Sequence, residues 1–278
     1  MSFAVAGLFR GRPQHPVGDD GRMALSDHFR ELRARLMRSM LIIIVGIIVA
    51  LFFYNQLLDL VIGPYNDARN RLGAKVVTKL TVNGVGGPLM VQLKLCSLVA
   101  IVGTAPFWLY QIWAFILPGL HQRERRWTRL FVAVAGPLFL AGVALGYFIL
   151  PKGLQVLIGF TRADMTNLVE FNEFLTFMMQ MLLVFGLAFE IPLFVVLLNV
   201  MGVISGKSLA QHRPWIIVGV FVFAAVATPS TDPFSMCFLA FPMLLLFGVS
   251  EVIARTVDRG RQRRDDENAL SVDEASKI

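Results

Sequence analysis

Six long apolar runs, separated by Pro, Gly and charge clusters, constrain this chain more than any other feature. About 20 consecutive apolar residues cross a hydrocarbon core as a helix, and in lipid only helices and closed barrels satisfy every backbone polar group. The runs fall at roughly 37–58, 89–117, 130–150, 174–200, 215–228 and 234–250. Only 16% of the 278 residues are charged and mean hydropathy is +0.64, whereas an average soluble domain carries about 25% charged residues. The chain therefore reads as an all-α polytopic membrane protein with six transmembrane helices. Residues 1–36 form a cytoplasmic arm with an amphipathic helix, 37–250 the six-span domain, and 251–278 a charged cytoplasmic tail. That tail is poor in aromatics and reads as a short helical extension that then loses order.

Run lengths set further expectations. Leu89–Leu117 amounts to about 43 Å of helix and contains Pro106, so it should tilt or kink. Trp215–Thr228 and Phe234–Ser250 reach only about 21 and 26 Å, short enough to thin a bilayer locally. Nineteen of the 26 Lys and Arg lie in the N-terminal arm and its junction with the first run (through Arg38), the 118–129 and 201–214 loops and the C-terminal tail, against six in the alternate loops. The positive-inside bias then places both termini in the cytoplasm. The net charge of +7 belongs to this bias, and no soluble basic domain that would bind nucleic acid is present. No cleavable signal peptide is expected, because the first 38 residues are polar and Arg-rich and the run behind them is of span length.

Enzymatic chemistry finds no footing. Cys96 and Cys237 lie inside apolar runs, and the four histidines lie outside them without metal-ligand spacing, so no metal site and no cofactor is expected. A lone intramembrane acid has no partner for acid–base or nucleophilic work.

The isolated acids are more informative. Leu25, Phe29, Leu32 and Leu36 recur at helical spacing, and Glu31 stands on that helix four residues before Arg35. Either it pairs with Arg35 or it awaits a cationic ligand. Glu124, among Arg123, Arg125 and Arg126, either moderates local repulsion or is held for a cation from outside. A carboxylate takes a guanidinium bidentately, so two such acids near the membrane surface suit an arginine-containing ligand. Glu190 lies deep within the fourth run, two residues before Pro192. An acid there is neutral and bonded, a proton site, or a polar contact for a partner's membrane helix. Asp232 stands in the Thr228–Phe234 turn joining the last two runs, and the 61–88 loop, with Gly63-Pro64, is long enough for a surface helix.

Taken in order, Asp27-His28…Glu31-Leu32-Arg33-x-Arg35-Leu36, Pro106…Tyr110-Gln111-x-Trp113-Ala114-Phe115…Pro118-x-Leu120…Glu124-Arg125-Arg126, Phe185-Gly186…Phe189-Glu190-x-Pro192 and Thr228-Pro229…Asp232-x-Phe234-Ser235 resemble the TatC family, receptor subunits of the twin-arginine protein translocase. The resemblance covers about Leu25 to Arg259, with no firm motif in 61–88 and 151–173. It implies a concave, glove-like six-helix bundle without catalytic chemistry in a bacterial-type inner membrane, binding twin-arginine signal peptides of folded cargo. The implied partners are the single-span TatA and TatB subunits, in a multimeric TatBC-type complex driven by the proton-motive force. By motif, Glu31, Arg33, Phe115 and Glu124 would form the cytoplasmic signal-peptide surface. Glu190 and Pro192 would meet a partner's membrane helix, and Pro64 and Asp232 would belong to the periplasmic cap and turn. The competing reading is a proton-coupled secondary transporter using Glu190.

Overall fold

The computed structural model describes residues 25–73, 77–116, 125–162, 164–227 and 233–275. In chain order the elements are α1 (Leu25–Phe52), α2 (Tyr54–Leu72), β1 (Val77–Thr81), α3 (Gly87–Gly103), α4 (Ala105–Ile116) and α5 (Arg125–Gly159). There follow β2 (Thr166–Glu170), α6 (Phe171–Val200), α7 (Gly206–Gln211), α8 (Arg213–Ala227) and α9 (Pro233–Ala275). Among the described residues, four helices contain stretches long and apolar enough to cross a membrane: Phe29–Phe52, Ala133–Gly159, Phe171–Val200 and Met236–Arg263. α3 and α4, bent by 58°, make a fifth if counted as one broken span, and α8 is a shorter apolar helix. The protein is a helical, polytopic membrane protein. Two compact units divide it, residues 1–186 and 187–278.

In the first unit α1 ends sooner than the apolar run suggests. The run reaches residue 58, but the helix breaks at Phe53, beyond which burial turns one-sided. Val61, Pro64, Tyr65 and Ala68 are buried at helical spacing while Asp59, Asp67, Arg69 and Arg71 are exposed, so α2 is an amphipathic helix rather than the end of a span. Pro64 cannot donate a backbone hydrogen bond to Leu60. The Leu60 carbonyl instead accepts from the Tyr147 hydroxyl of α5 at 2.8 Å.

The expected kink near Pro106 is present, with the break at Thr104. Pro106 removes one helical donor, and the Trp108 indole N–H donates to the Ile101 carbonyl at 2.8 Å. The bend is packed tightly. A Cβ on Gly46 of α1 would lie 3.0 Å from Thr104, and one on Gly136 of α5 3.1 Å from Pro106, so both neighbours approach only because these positions are glycine. α1 packs along both α3 and α4, and α5 packs on α2 and α4.

One small strand pair accompanies the helices. β1 and β2 pair in parallel, from Val77 with Thr166 to Thr81 with Glu170. Buried Thr78 holds this pair to α2 through a 2.9 Å hydrogen bond with the Tyr65 hydroxyl, and the Tyr65 ring meets Phe174 edge-on. The strands close the two segments that carry no firm motif.

In the second unit α7 and α8 pack on α9. α8 has 15 residues, as the short fifth run requires. The apolar part of the sixth run ends at Ser250, and α9 extends past it as a helix to Ala275. Side-chain bonds account for the first turns of this continuation. Asp258 accepts from the Asn199 amide at 2.9 Å and the Gly206 N–H at 2.6 Å, and Arg261 donates to the Asn199 and Val200 carbonyls at the end of α6. These last carbonyls of a helix have no intrahelical partner, so the guanidinium caps α6.

Candidate functional site

α1 carries the first cluster of candidate residues. Glu31 pairs with Arg35 one turn on, its Oε1 accepting from Nε at 2.9 Å and Nη2 at 2.6 Å. The pair is largely sheltered, with side-chain exposures of 13% for Glu31 and 20% for Arg35. The i,i+4 pairing open in the sequence is thus formed, and among the described residues both bonds use Oε1, so Oε2 can accept from a second guanidinium. Arg33 is exposed, and Phe29, Leu32 and Leu36 present an exposed apolar stripe, whereas Ala34 faces inward.

Phe115, half-buried, lies in the last turn of α4. Leu57, beyond the end of α1, shares a cavity with Leu98 and Val99, so α3 runs antiparallel to α1, and α4, which also packs on α1, continues from α3 after the 58° bend. From the Gly46–Thr104 crossing, Glu31 is about 22 Å back along α1 and Phe115 about 16 Å forward along α4, toward the same end. Glu31, Arg33 and Phe115 therefore belong to one end of one helix pair. Glu124 and Asp232 lie outside the described residues.

Glu190, in the second unit, is 9% exposed. Pro192 follows within the same helix and its carbonyl is 3.0 Å from the Ser250 hydroxyl, which is also 2.9 Å from the Leu246 carbonyl. α6 is thus tied to α9 two residues from the acid. Pro64 is buried in α2 beside the paired strands, far along the chain from Glu190.

Sequence reasoning missed a third cluster. The Glu251 carboxylate, 5% exposed, accepts Nε and Nη2 of Arg213 at 2.7 and 2.6 Å and Nη2 of Arg255 at 2.5 Å. Arg213 was counted only toward topology, and a buried acid directly after an apolar run was the signal available. Among the described residues no group of three or more His, Cys, Asp or Glu could hold a metal ion.

The family model described as Sec-independent protein translocase protein (TatC) matches residues 27–242. The Sec-independent protein translocase protein TatC of Frankia casuarinae is 40% identical over 255 residues, covering 89% of this chain and 70% of that protein. Its counterpart in Escherichia coli K12 is 32% identical over 243 residues, covering 87% and 92%. A crystal structure of the twin-arginine translocase receptor TatC superposes with a TM-score of 0.67 at 30% identity, covering 82% of this chain and 98% of that one. The chain therefore belongs to the TatC family, non-enzymatic receptor subunits, and is a multi-pass membrane component of the Tat protein translocase.

Proposed function

We propose that this chain binds the twin-arginine signal peptides of folded cargo at its cytoplasmic face and nucleates assembly of the translocase. The observation that carries this reading is the first turns of α1: a sheltered carboxylate bonded through one oxygen to Arg35, beside an exposed apolar stripe. A signal peptide with two guanidinium groups and an apolar segment complements both features. Glu124, by its place in the motif, supplies a second carboxylate, while Arg33 and Phe115 border the surface. In this reading the protein lies in the bacterial inner membrane with both termini cytoplasmic, and α8 is the fifth of six spans. The proton-motive force drives transport. Glu190 and Pro192 meet the membrane helix of a single-span TatA or TatB partner in a multimeric complex. Pro64 and Asp232 belong to the periplasmic cap and turn.

Binding of a twin-arginine peptide to the reconstituted complex tests the reading. Glu31→Gln should weaken it by about 1.5–3 kcal/mol, the value of a hydrogen bond to a charged group. A twin-lysine peptide should bind poorly, because an ammonium lacks the planar fork. Equal binding of both peptides would remove the bidentate argument.

A further inference from the structure

We propose that the pocket between α8 and α9 binds an anionic phospholipid, with Arg213 and Arg255 on the headgroup phosphate and Ile217, Leu244 and Phe247 along the acyl chain. The cavity, of about 280 Å³, carries Arg213, Glu251 and Arg255 as its charged lining and is otherwise apolar. Among the described residues its charge is not balanced. Two guanidinium groups share the single Glu251 carboxylate, which leaves one net positive charge, and the next acid on α9, Asp258, is bonded to Asn199 and Gly206.

Glu251 uses two N–H groups of Arg213 and one of Arg255. A guanidinium has five donors, so both groups retain further N–H for an anion, and their side chains are 54% and 44% exposed. Arginine forks match phosphate oxygens, and Glu251 already fixes both side chains, which lowers the entropy lost on binding.

Depth selects lipid as the source of the phosphate. The apolar part of α9 ends at Ser250 and that of α8 begins after Arg213, so the cluster stands where both helices leave the apolar zone. Trp215, 76% exposed, adjoins Arg213, as aromatic residues do at headgroup level. Basic pockets between membrane helices at this level hold anionic headgroups.

The test uses the full-length chain in detergent, with phosphatidylglycerol and phosphatidylcholine of matched chains and native mass spectrometry of retained lipid. Wild type should retain phosphatidylglycerol selectively. Arg255→Gln should lower that retention about fivefold, the effect of one basic side chain at an anionic surface, and leave phosphatidylcholine unchanged. Arg263→Gln, the same charge change at an exposed position outside the pocket, should behave as wild type. Gly248→Leu fills the groove from a position whose Cβ meets nothing within 4 Å, keeps both arginines, and should also lower retention. It decides the matter even if Arg255→Gln fails to fold. Equal losses in Arg255→Gln and Arg263→Gln would mean diffuse attraction and overturn the site. Full retention in Gly248→Leu, or displacement by millimolar inorganic phosphate alone, would overturn the lipid as its occupant.

Discussion

Tyr147→Phe removes one oxygen atom and tests whether Pro64 and Tyr147 act as a single device. Pro64 leaves the Leu60 carbonyl without its helical donor, and the Tyr147 hydroxyl supplies one at 2.8 Å. Tyr147 is half-buried, so water replaces part of the lost bond, and the cost should fall near the lower end of the range for an unsatisfied carbonyl, about 1 kcal/mol. For a chain of this size that lowers Tm by about 2 °C. The diagnostic step is the second substitution. Pro64→Ala restores an N–H to Leu60, so Tyr147→Phe should cost almost nothing in that background, a coupling of about 1 kcal/mol. Tryptophan fluorescence during unfolding of the four proteins in mixed micelles supplies the cycle. An undiminished cost of Tyr147→Phe in the Pro64→Ala background would refute the carbonyl argument.

Three other perturbations address packing, capping and assembly. A Cβ at Gly186 would lie 2.6–2.9 Å from ring atoms of Phe139, itself fully buried and edge-on to Trp108. Gly186→Ala should therefore destabilise by about 1–3 kcal/mol as overpacking, and an unchanged Tm would contradict the described contact. Asp258→Ala removes the acceptor for both Asn199 and Gly206, and should expose the 200–206 segment to limited proteolysis at a rate clearly above wild type. Glu190→Gln should reduce co-purification of single-span partners while Tm holds. Intact complexes would withdraw Glu190 from the partner surface.

Much of this molecule is legible in one-dimensional pattern because lipid permits few solutions. The apolar runs locate the helices, Pro106 locates the bend, and the four-residue spacing of Glu31 and Arg35 anticipates their ion pair. Boundaries are less legible. Phe52-Phe53-Tyr54 contains neither Gly nor Pro, yet α1 ends there, since what changes is the one-sided burial beyond it. Non-local pairing leaves no local trace: β1 and β2 are five residues each and meet only after α3, α4 and α5 intervene. Arg213 was hidden from Glu251 and Arg255 for the same reason, being separated from them by the whole of α8 and the start of α9. Asp258 and Arg261 likewise find their partners on α6 and at the start of α7, pairings that charge content alone cannot reveal.

The central claim is that the cytoplasmic end of α1, together with the 118–126 segment, receives a pair of signal arginines. Site-specific photocrosslinking in membranes tests it most directly, with the probe beside the arginine pair of a twin-arginine signal peptide. Crosslinks should form to 25–36 and 118–126, and should vanish with Glu31→Gln, with Glu124→Gln and with a twin-lysine peptide. Absence of crosslinks to the wild-type chain with its partners present would contradict signal recognition at this surface.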